Sequence, residues 1–417
     1  MILNRRQLAA AALASGALLP FAIPTVRAAT TTPAQRKLVV IYCFGGWDPT
    51  WVFTSTLGHP TFYFDETASA EYGAGGIPYV HSPERPAVKA FFDAWGDRAA
   101  ILNGMQVRAL THPSGLKQLF TDSATPGVPD WFATIAGAST ELELPMVVSS
   151  GPVFTGEFGP QIMRLGESGQ LSALISGEAL DSSEMPTQAL SESAVDSVDA
   201  YLAGRAAGLE SDSWMEDYAT GLERLHRVNA LGDQIDLGLD YAANISVADR
   251  MAPALDCLEL GLSRVVTVAH PGFRAGWDHH SAIGQHNRHL QYLFSDVKDV
   301  VDSLAARPGS GGGTLLDETT VLVCSEMGRA PLLNGAGGKD HWIWTSALLV
   351  GSGIKGGQVV GLFNEDFEGE PLNSAGEPDA AGVIQDAGHL GATLFELTGV
   401  EKPAHIQHKA PIEALLA

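Results

Sequence analysis

The chain has 417 residues, of which 45% are hydrophobic, and this is enough for two or three ordinary domains or for one large α/β domain. Lys and Arg number 25 against 48 Asp and Glu, which gives a formal charge of −23 at pH 7. So acidic a surface repels polyanions and argues against nucleic acid as a partner. The three cysteines lie in or beside apolar runs, which predicts core packing and no disulfide framework.

The first 28 residues have the parts of a cleaved export signal. Arg5 and Arg6 precede an apolar stretch at 8–23, and small residues follow around Ala28. The stretch is shorter than the roughly 20 residues that cross a bilayer, so the mature chain is expected to have no membrane span. The paired arginines predict the twin-arginine route and a periplasmic or secreted protein. An uncleaved N-terminal anchor is the alternative.

Four continuous apolar runs rich in β-branched residues predict strands that are buried on both faces of a parallel sheet. They are LVVIYCF after Lys37, SRVVTVAH at 263–270, TTVLVCS at 319–325 and SALLVGSGI at 346–354.

Helical patterns lie between these runs. The segment 242–262 leads into the second run, and apolar residues recur at three- and four-residue spacing over 283–304. This alternation predicts a doubly wound, mainly parallel α/β sheet flanked by helices, in a single domain at 36–417. The acidic, Ser- and Ala-rich stretch at about 180–240 has no strand-like run and predicts a helical insertion.

Ionisable side chains recur at the ends of the predicted strands, where open parallel sheets bind ligands. Carboxylates and imidazoles gathered from separate loops predict a divalent metal site, for Zn, Mn or a related ion. In extended chain Asp278 and His280 point the same way and His279 points away, so His280 is the predicted ligand. The residues at the strand ends are Asp48, Asp278, His279, His280, Glu326, Arg329, Asp340 and His341.

Each of these residues also has a structural interpretation. Asp48 would cap the following turn with Thr50, and Glu326 would pair with Arg329. His341 would be a core histidine with satisfied hydrogen bonds. Two further histidines, His286 and His289, share one face at the start of the following helix, and this pattern favours a half-buried amphipathic face.

The segment Thr111-His112-Pro113-Ser114-Gly115 predicts a helix start, because Pro suits the first turn and the apolar pattern continues after it. A hydroxyl just ahead of a helix N-terminus is well placed to attack a phosphorus or sulfur centre, since the free backbone N–H groups stabilise an anion. Thr111 is therefore a candidate nucleophile, and a simple Thr cap is the alternative.

With these residues in hand, the sequence resembles the exported bacterial family called domain of unknown function 1501, a distant branch of the alkaline phosphatase/sulfatase superfamily. The resemblance runs from about residue 37 to 400. The matching pieces are LVVIYCFGGWD, THPSG, GWDHHSA, VLVCSEMGRAPLLNGAGGKDHW, LLVGSGIKGGQVVGLF and GHLGATLFELTGV.

The resemblance implies a site ordered as a first-strand Asp, a hydroxyl or modified Cys nucleophile, an Asp/His pair, an Asp-His pair and a final His. Two residues depart from the superfamily pattern. Met327 follows Glu326 where the superfamily has His, and Thr111 stands where sulfatases carry the Cys that becomes formylglycine. The residues in that order here are Asp48, Thr111, Asp278 with His280, Glu326 and His341.

Two functions are therefore expected as alternatives. The first is an exported metal-dependent hydrolase of phosphate esters, with sulfate esters second, acting on a small-molecule or glycan ester with one or two Zn, Mn or Ca ions. Thr111 would be the nucleophile, and His112 and Arg329 would orient ligands or bind the anion. The second is a non-catalytic exported scaffold that binds another exported protein. The expected metal ligands are Asp48, Asp278, His280, Glu326, Asp340 and His341, with Glu326 also a possible base and Asp340 also an orienting group.

Overall fold

In the computed structural model the described residues are 35–165, 213–235, 246–272 and 276–417, with a few single positions outside these ranges. The predicted export signal at 1–28 lies outside the described residues. The same holds for most of the predicted helical insertion at 180–240, of which 213–235 is described as a continuous piece.

The described residues form an eight-stranded sheet and two short two-stranded sheets. The strands are β1 (Lys37–Cys43), β2 (Ser69–Tyr72), β3 (Pro78–His81), β4 (Ala99–Gln106), β5 (Met146–Val148), β6 (Ile162–Arg164), β7 (Val265–His270), β8 (Thr319–Ser325), β9 (Gly328–Arg329), β10 (His341–Trp342), β11 (Trp344–Gly351) and β12 (Gln358–Val360). The large sheet has the order β12-β4-β11-β8-β1-β7-β5-β6, and β2 pairs with β3 and β9 with β10.

Strand β1 lies in the middle of the large sheet and is parallel to both neighbours, β7 and β8. Its side chains alternate between the two faces: Val39 and Ile41 belong to one core cluster, and Val40 and Tyr42 to the other. All of them are buried, because helices cover both faces.

Helices from both halves of the chain cover the sheet. They are α1 (Pro86–Trp95), α2 (His112–Thr121), α3 (Trp131–Gly137), α4 (Ser213–Leu231), α5 (Val247–Glu259), α6 (His286–Ala306) and α7 (Ala387–Thr398). Buried side chains of α1, α5 and α6 pack on one face, and those of α2, α3 and α7 pack on the other. The predicted doubly wound, mainly parallel sheet flanked by helices is confirmed. Helix α5 falls within the predicted segment 242–262, and α6 covers most of the predicted segment 283–304 and ends two residues beyond it.

The direction of β11 differs from the prediction. The run at 346–354 forms a central buried strand, but it is antiparallel to both β8 and β4. The apolar pattern of a buried strand is the same whichever way the strand runs. Its direction is set by the connection from the preceding strand. Here the chain returns from β8 through the short β9–β10 pair and not through a helical crossover, so β11 runs back.

This topology gathers five chain segments at one edge of the sheet. The carboxyl ends of β1, β4, β7 and β8 lie at the same edge because these strands run in the same direction. Strand β11 begins at that edge because it runs in the opposite direction. The residues after the first four strands and those just before β11 are therefore brought together.

A candidate metal centre

Three histidines meet the carboxylate of Asp278 at this edge. Asp278 Oδ1 lies 3.2 Å from His280 Nε2 and 3.3 Å from His341 Nε2, and Oδ2 lies 3.1 Å from His112 Nε2. The Nε2 atoms of His280 and His341 are 2.9 Å apart. Ligand atoms of His112, Asp278 and His341 all lie within 4.8 Å of one another. Of the predicted site residues, the structure brings these four side chains together.

Local structure explains how each of them reaches the cluster. His112 is the first residue of α2, where Pro113 fits the first turn. Asp278 and His280 lie in the loop that follows β7, and His341 lies in β10, paired with Arg329 of β9. Four side chains from three separate segments of the chain thus meet in front of the sheet.

In each of the three imidazoles, Nδ1 forms a hydrogen bond with an acceptor on the side away from Asp278. His112 Nδ1 lies 2.6 Å from Glu326 Oε1, His280 Nδ1 lies 3.2 Å from Asp340 Oδ1, and His341 Nδ1 lies 2.6 Å from the carbonyl oxygen of Leu110. All three partners are acceptors, so each neutral imidazole carries its proton on Nδ1 and presents the Nε2 lone pair to Asp278. This is the tautomer that an outer carboxylate or carbonyl fixes in metal-binding histidines.

Without a cation or bound protons, this arrangement is electrostatically unfavourable because electron-rich atoms face each other. Lone pairs of three nitrogens and the charge of one carboxylate face each other across about 3 Å. Imidazole nitrogen with one carboxylate oxygen is a donor set that suits Zn or Mn, whereas Ca prefers oxygen ligands. The residues present therefore fit a transition-metal ion better than Ca.

The charges at the centre shift two pKa values in opposite directions. Partial burial opposes ionisation of Asp278, but the hydrogen bond and charge of Arg329 outweigh it and hold the pKa of Asp278 well below its usual range. The hydrogen bond to Glu326 is the largest of the influences that raise the pKa of His112 above the ordinary histidine value, and burial opposes it. The two carboxylates on either side of His112, Glu326 and Asp278, therefore favour its protonated form.

Glu326 supports the cluster from beneath and does not reach Asp278. The side chain is completely buried, and its Oε1 accepts hydrogen bonds from the Gly45 N–H at 2.8 Å and from His112. Its Oε2 accepts from the Tyr42 hydroxyl at 2.9 Å and from Ser325 Oγ at 3.0 Å. With both oxygens occupied in this way, Glu326 orients His112, and the alternative pairing with Arg329 is not formed.

Asp48 also lies outside the cluster. Its Oδ1 accepts from Thr50 N at 3.0 Å and from Thr50 Oγ1 at 2.7 Å, so it caps the short turn after β1. Its Oδ2 lies 2.6 Å from Lys339 Nζ, and both side chains of this ion pair are fully buried. The alternative expected for Asp48, a cap of the following turn with Thr50, is formed, and Lys339 is its buried counter-ion. Lys339 could not be recognised as the partner from the sequence, because it lies 291 positions further along the chain, 339 against 48.

Arg329 holds together the backbone around the cluster. It is fully buried and its Nη2 lies 2.7 Å from Asp278 Oδ1. Its other bonds join the loops after β1, after β7 and before β10. Its N–H groups donate to the carbonyls of Gly45, Gly46, Trp277 and Lys339 and to the Asp278 carboxylate. Of the two predicted roles, orientation and anion binding, the geometry supports orientation.

The two remaining predicted residues lie at the rim. Asp340 is largely exposed, and its Oδ1 accepts from Asn334 Nδ2 at 3.0 Å as well as contacting His280. It therefore orients His280 and is not among the converging atoms. Thr111 is exposed and precedes α2 in extended conformation, and its hydroxyl makes no capping hydrogen bond. The simple cap that was the alternative for Thr111 is not formed.

Beneath the cluster lies a second group of histidines, His279, His286 and His289, which are all buried. The predicted half-buried face for the last two is wrong, because their helix packs against the loop that holds Asp278. His286 Nε2 accepts from the Asp48 N–H at 2.9 Å, so its Nδ1 carries the proton and donates to His279 Nδ1 at 2.6 Å. This buried group connects the loop that holds Asp278 and His280 to helix α6. In the sequence, the only signal for this role is the spacing of His286 and His289, three residues apart.

In the part of the chain that the structure describes, no helix is both long and apolar enough to cross a bilayer. No curated protein matches the sequence.

Several solved structures are similar to the chain. A protein in the alkaline phosphatase superfamily from Vibrio parahaemolyticus has 10% sequence identity and a TM-score of 0.40, and the match covers 94% of this chain and 72% of that one. The lipoteichoic acid synthase LtaP from Listeria monocytogenes has 8% identity, a TM-score of 0.43 and coverages of 94% and 80%. The C-terminal periplasmic domain of EcEptC from Escherichia coli has 10% identity, a TM-score of 0.38 and coverages of 88% and 83%.

The profile of the family described as "Protein of unknown function (DUF1501)" matches residues 237–372. This segment contains Asp278, His280 and His341, together with the Glu326 and Arg329 that position the cluster. The resemblance to this family that was expected from the sequence is confirmed over these residues.

Proposed function

We propose that the chain is a metal-dependent hydrolase of phosphate esters, with sulfate esters as the second choice. The observation that supports this most is the convergence of three Nε2 atoms on Asp278, each with its Nδ1 proton held by an outer acceptor. His112, Asp278, His280 and His341 would hold one Zn or Mn ion. Such an ion polarises an ester oxygen and lowers the pKa of a nearby hydroxyl or water.

The chain's own residues supply the nucleophile and the anion site in this proposal. Thr111 is exposed, precedes His112 and stands at the N-terminus of α2. Its hydroxyl makes no capping hydrogen bond. Its Oγ would form a bond to phosphorus while the P–O bond to the alcohol breaks, and the alcohol would take up the proton that Thr111 gives up. Water would then cleave the phosphothreonine. Free N–H groups of the first turn of α2 would stabilise the negative oxygens.

The proposed setting is outside the cytoplasm, and the paired Arg5-Arg6 ahead of an apolar stretch supports it. Replacing both arginines by Lys is expected to leave the precursor in the cytoplasm. Cell fractionation with an antibody to the chain measures this, and normal amounts of exported protein in the variant would contradict the twin-arginine route.

The experiment for the reaction is a panel of aryl phosphate monoesters and diesters and one sulfate ester, assayed with Zn or Mn on the purified full chain. Thr111→Ala is expected to lower turnover at least about a hundredfold with metal content unchanged. Ser114→Ala is the matched control, an exposed hydroxyl in the same helix turn, and is expected to change turnover less than about tenfold.

The outcomes separate the alternatives. Full activity in Thr111→Ala, or a larger loss in Ser114→Ala, would contradict Thr111 as the nucleophile. Bound metal with no turnover of any ester would contradict the hydrolase and favour the scaffold.

A further inference from the structure

Four apolar side chains that face solvent border the candidate metal centre. Phe44, Leu110, Leu332 and Leu333 are between 43% and 53% exposed, although buried apolar residues fill both faces of the sheet behind them. Clustered apolar exposure next to a polar site marks a binding surface more often than scattered single residues do. We call these four residues the apolar rim.

Three residues of the apolar rim are connected to the cluster by a ring contact or along the chain, and Leu332 precedes Leu333 in the sequence. The Phe44 ring centroid lies 5.3 Å from that of His112, and the Leu110 carbonyl accepts the hydrogen bond from His341 Nδ1. Leu333 precedes Asn334, whose amide nitrogen donates to the carbonyl of His280 at 3.0 Å. The rim is therefore connected, by a ring contact or through neighbouring backbone, to each of the three imidazoles.

The rim is held in place by backbone hydrogen bonds. The Phe44 carbonyl accepts from the Trp277 N–H at 3.3 Å, and the Pro331 carbonyl accepts from the Tyr63 N–H at 3.0 Å. The Asn334 N–H donates to the Gly338 carbonyl at 2.9 Å. Side chains on such fixed segments offer a preformed apolar surface, which reduces the entropy lost when a ligand binds.

Cations beside the centre are already paired, which limits the substrates that it can recognise. Arg329 is buried and donates to carbonyls and to Asp278, and Lys339 is buried against Asp48. Arg108, two positions before Leu110, pairs with Asp122. With these three engaged and a net charge of −23, a second phosphate or a string of carboxylates on the substrate finds no cation among them.

We propose that the ester bound here carries an apolar alkyl or aryl group, taken from solution, and that the apolar rim contacts that group while the metal centre contacts the anionic head. This inference rests on the proposed function. It adds the substrate class, a soluble amphiphilic monoester, to the reaction.

The test is binding of non-hydrolysable alkylphosphonates to the Zn-loaded full chain, measured by calorimetry from methyl- to octylphosphonate. We expect affinity to rise about two- to fourfold per methylene while the chain is short enough to contact the rim. Phe44→Ser and Leu110→Ser are expected to lower the affinity for octylphosphonate relative to methylphosphonate at least about tenfold. Tyr72→Ser is the matched control, because Tyr72 is an exposed aromatic residue in the β2–β3 hairpin.

Failure of this inference differs from failure of the proposed function. Binding of all phosphonates with equal affinity, or equal losses in the rim variants and in Tyr72→Ser, would overturn the substrate class and leave the hydrolase proposal. Absence of binding by every phosphonate to metal-loaded protein would overturn both. Pelleting of the chain with phosphatidylglycerol vesicles would overturn a substrate taken from solution in favour of a lipid surface.

Discussion

The chain uses histidine in two neighbouring regions with opposite consequences. At the candidate metal centre the side chains of His112 and His341 are 17% and 18% exposed, and that of His280 is 47% exposed. In the buried group beneath, burial lowers the pKa of His279 to about 4 and that of His289 to about 3. In contrast, a carboxylate partner raises the pKa of His112. Environment, and not residue type, decides which histidines are available to a ligand.

The strongest test of this difference between the two regions is to remove one histidine of the candidate metal centre. His341→Ala is expected to weaken Zn binding at least about a hundredfold, because one of few ligands is lost while Leu110 and Asp278 stay in place. His408→Ala is the control, because His408 is an exposed histidine outside both regions. Competition with a chromophoric chelator measures the affinity, and similar losses in both variants would contradict the centre.

Glu326→Gln tests the support from beneath. An amide at this position loses the charge that holds His112. It also replaces one acceptor oxygen by an NH2 donor, so two of the four donors lose their acceptor, and Zn affinity is expected to fall about 10- to 100-fold. A urea titration of the metal-free variant separates loss of fold from loss of affinity. Unchanged affinity in a folded variant would show that Glu326 does not orient the ligand.

The pH dependence of metal binding sharpens the contrast further. The ion must displace the proton of His112, whose pKa is raised, so affinity is expected to fall about tenfold for each pH unit below that pKa. Half-saturation therefore lies at a higher pH than an unperturbed histidine would give. Calorimetry between pH 8 and 5.5 measures this, and a flat profile would contradict a protonated His112 in the free protein.

The same raised pKa affects the stability of the metal-free chain. The folded state binds this proton more tightly than the unfolded chain does, so the stabilisation by His112 is fully present below the ordinary histidine pKa and is lost as the pH rises through the raised value. The histidines of the buried group stay neutral over this range. Urea titrations at several pH values follow this contribution, and stability that rises in this window would contradict it.

Among these variants, a substitution in the buried histidine group is expected to change the Zn affinity least. His286→Phe leaves the buried Asp48 N–H without its acceptor and should lower the free energy of unfolding by about 1–3 kcal/mol. His286 donates to no ligand atom of the centre, so Zn affinity should change less than about tenfold. Urea titration and chelator competition measure the two effects, and a loss of affinity as large as in His341→Ala would place His286 in the metal site itself.

Sequence reasoning located the edge of the sheet, and with it Asp278, His280 and His341, because apolar runs mark strands and polar residues follow them. It did not identify the structural partners of Asp48 and Glu326, Lys339 and His112, because these partners are remote in sequence. A carboxylate after a strand looks the same whether it meets an ion, Lys339 or an imidazole. The direction of β11 was not predicted for a similar reason, since a buried apolar strand has the same pattern whether it is parallel or antiparallel to its neighbours.

His112 was expected to orient ligands, yet its Nε2 is among the converging atoms. The signal that pointed to Thr111, a helix start after an extended segment, applied equally to the residue beside it. Its distant acceptor, Glu326, could not be recognised from spacing, because 214 positions separate the two.

That separation has a consequence for how the chain acquires its ion. His341 and the Leu110 carbonyl are 231 positions apart and meet where β4 and β11 pair, and Asp278 joins them when β8, β1 and β7 lie beside these strands. An unfolded chain holds these donors too far apart to bind the ion together, so the ion binds the finished fold and lends it stability by mass action. At a free concentration 100 times Kd this amounts to about 2.7 kcal/mol, so scarcity of the metal would appear as a lower melting temperature.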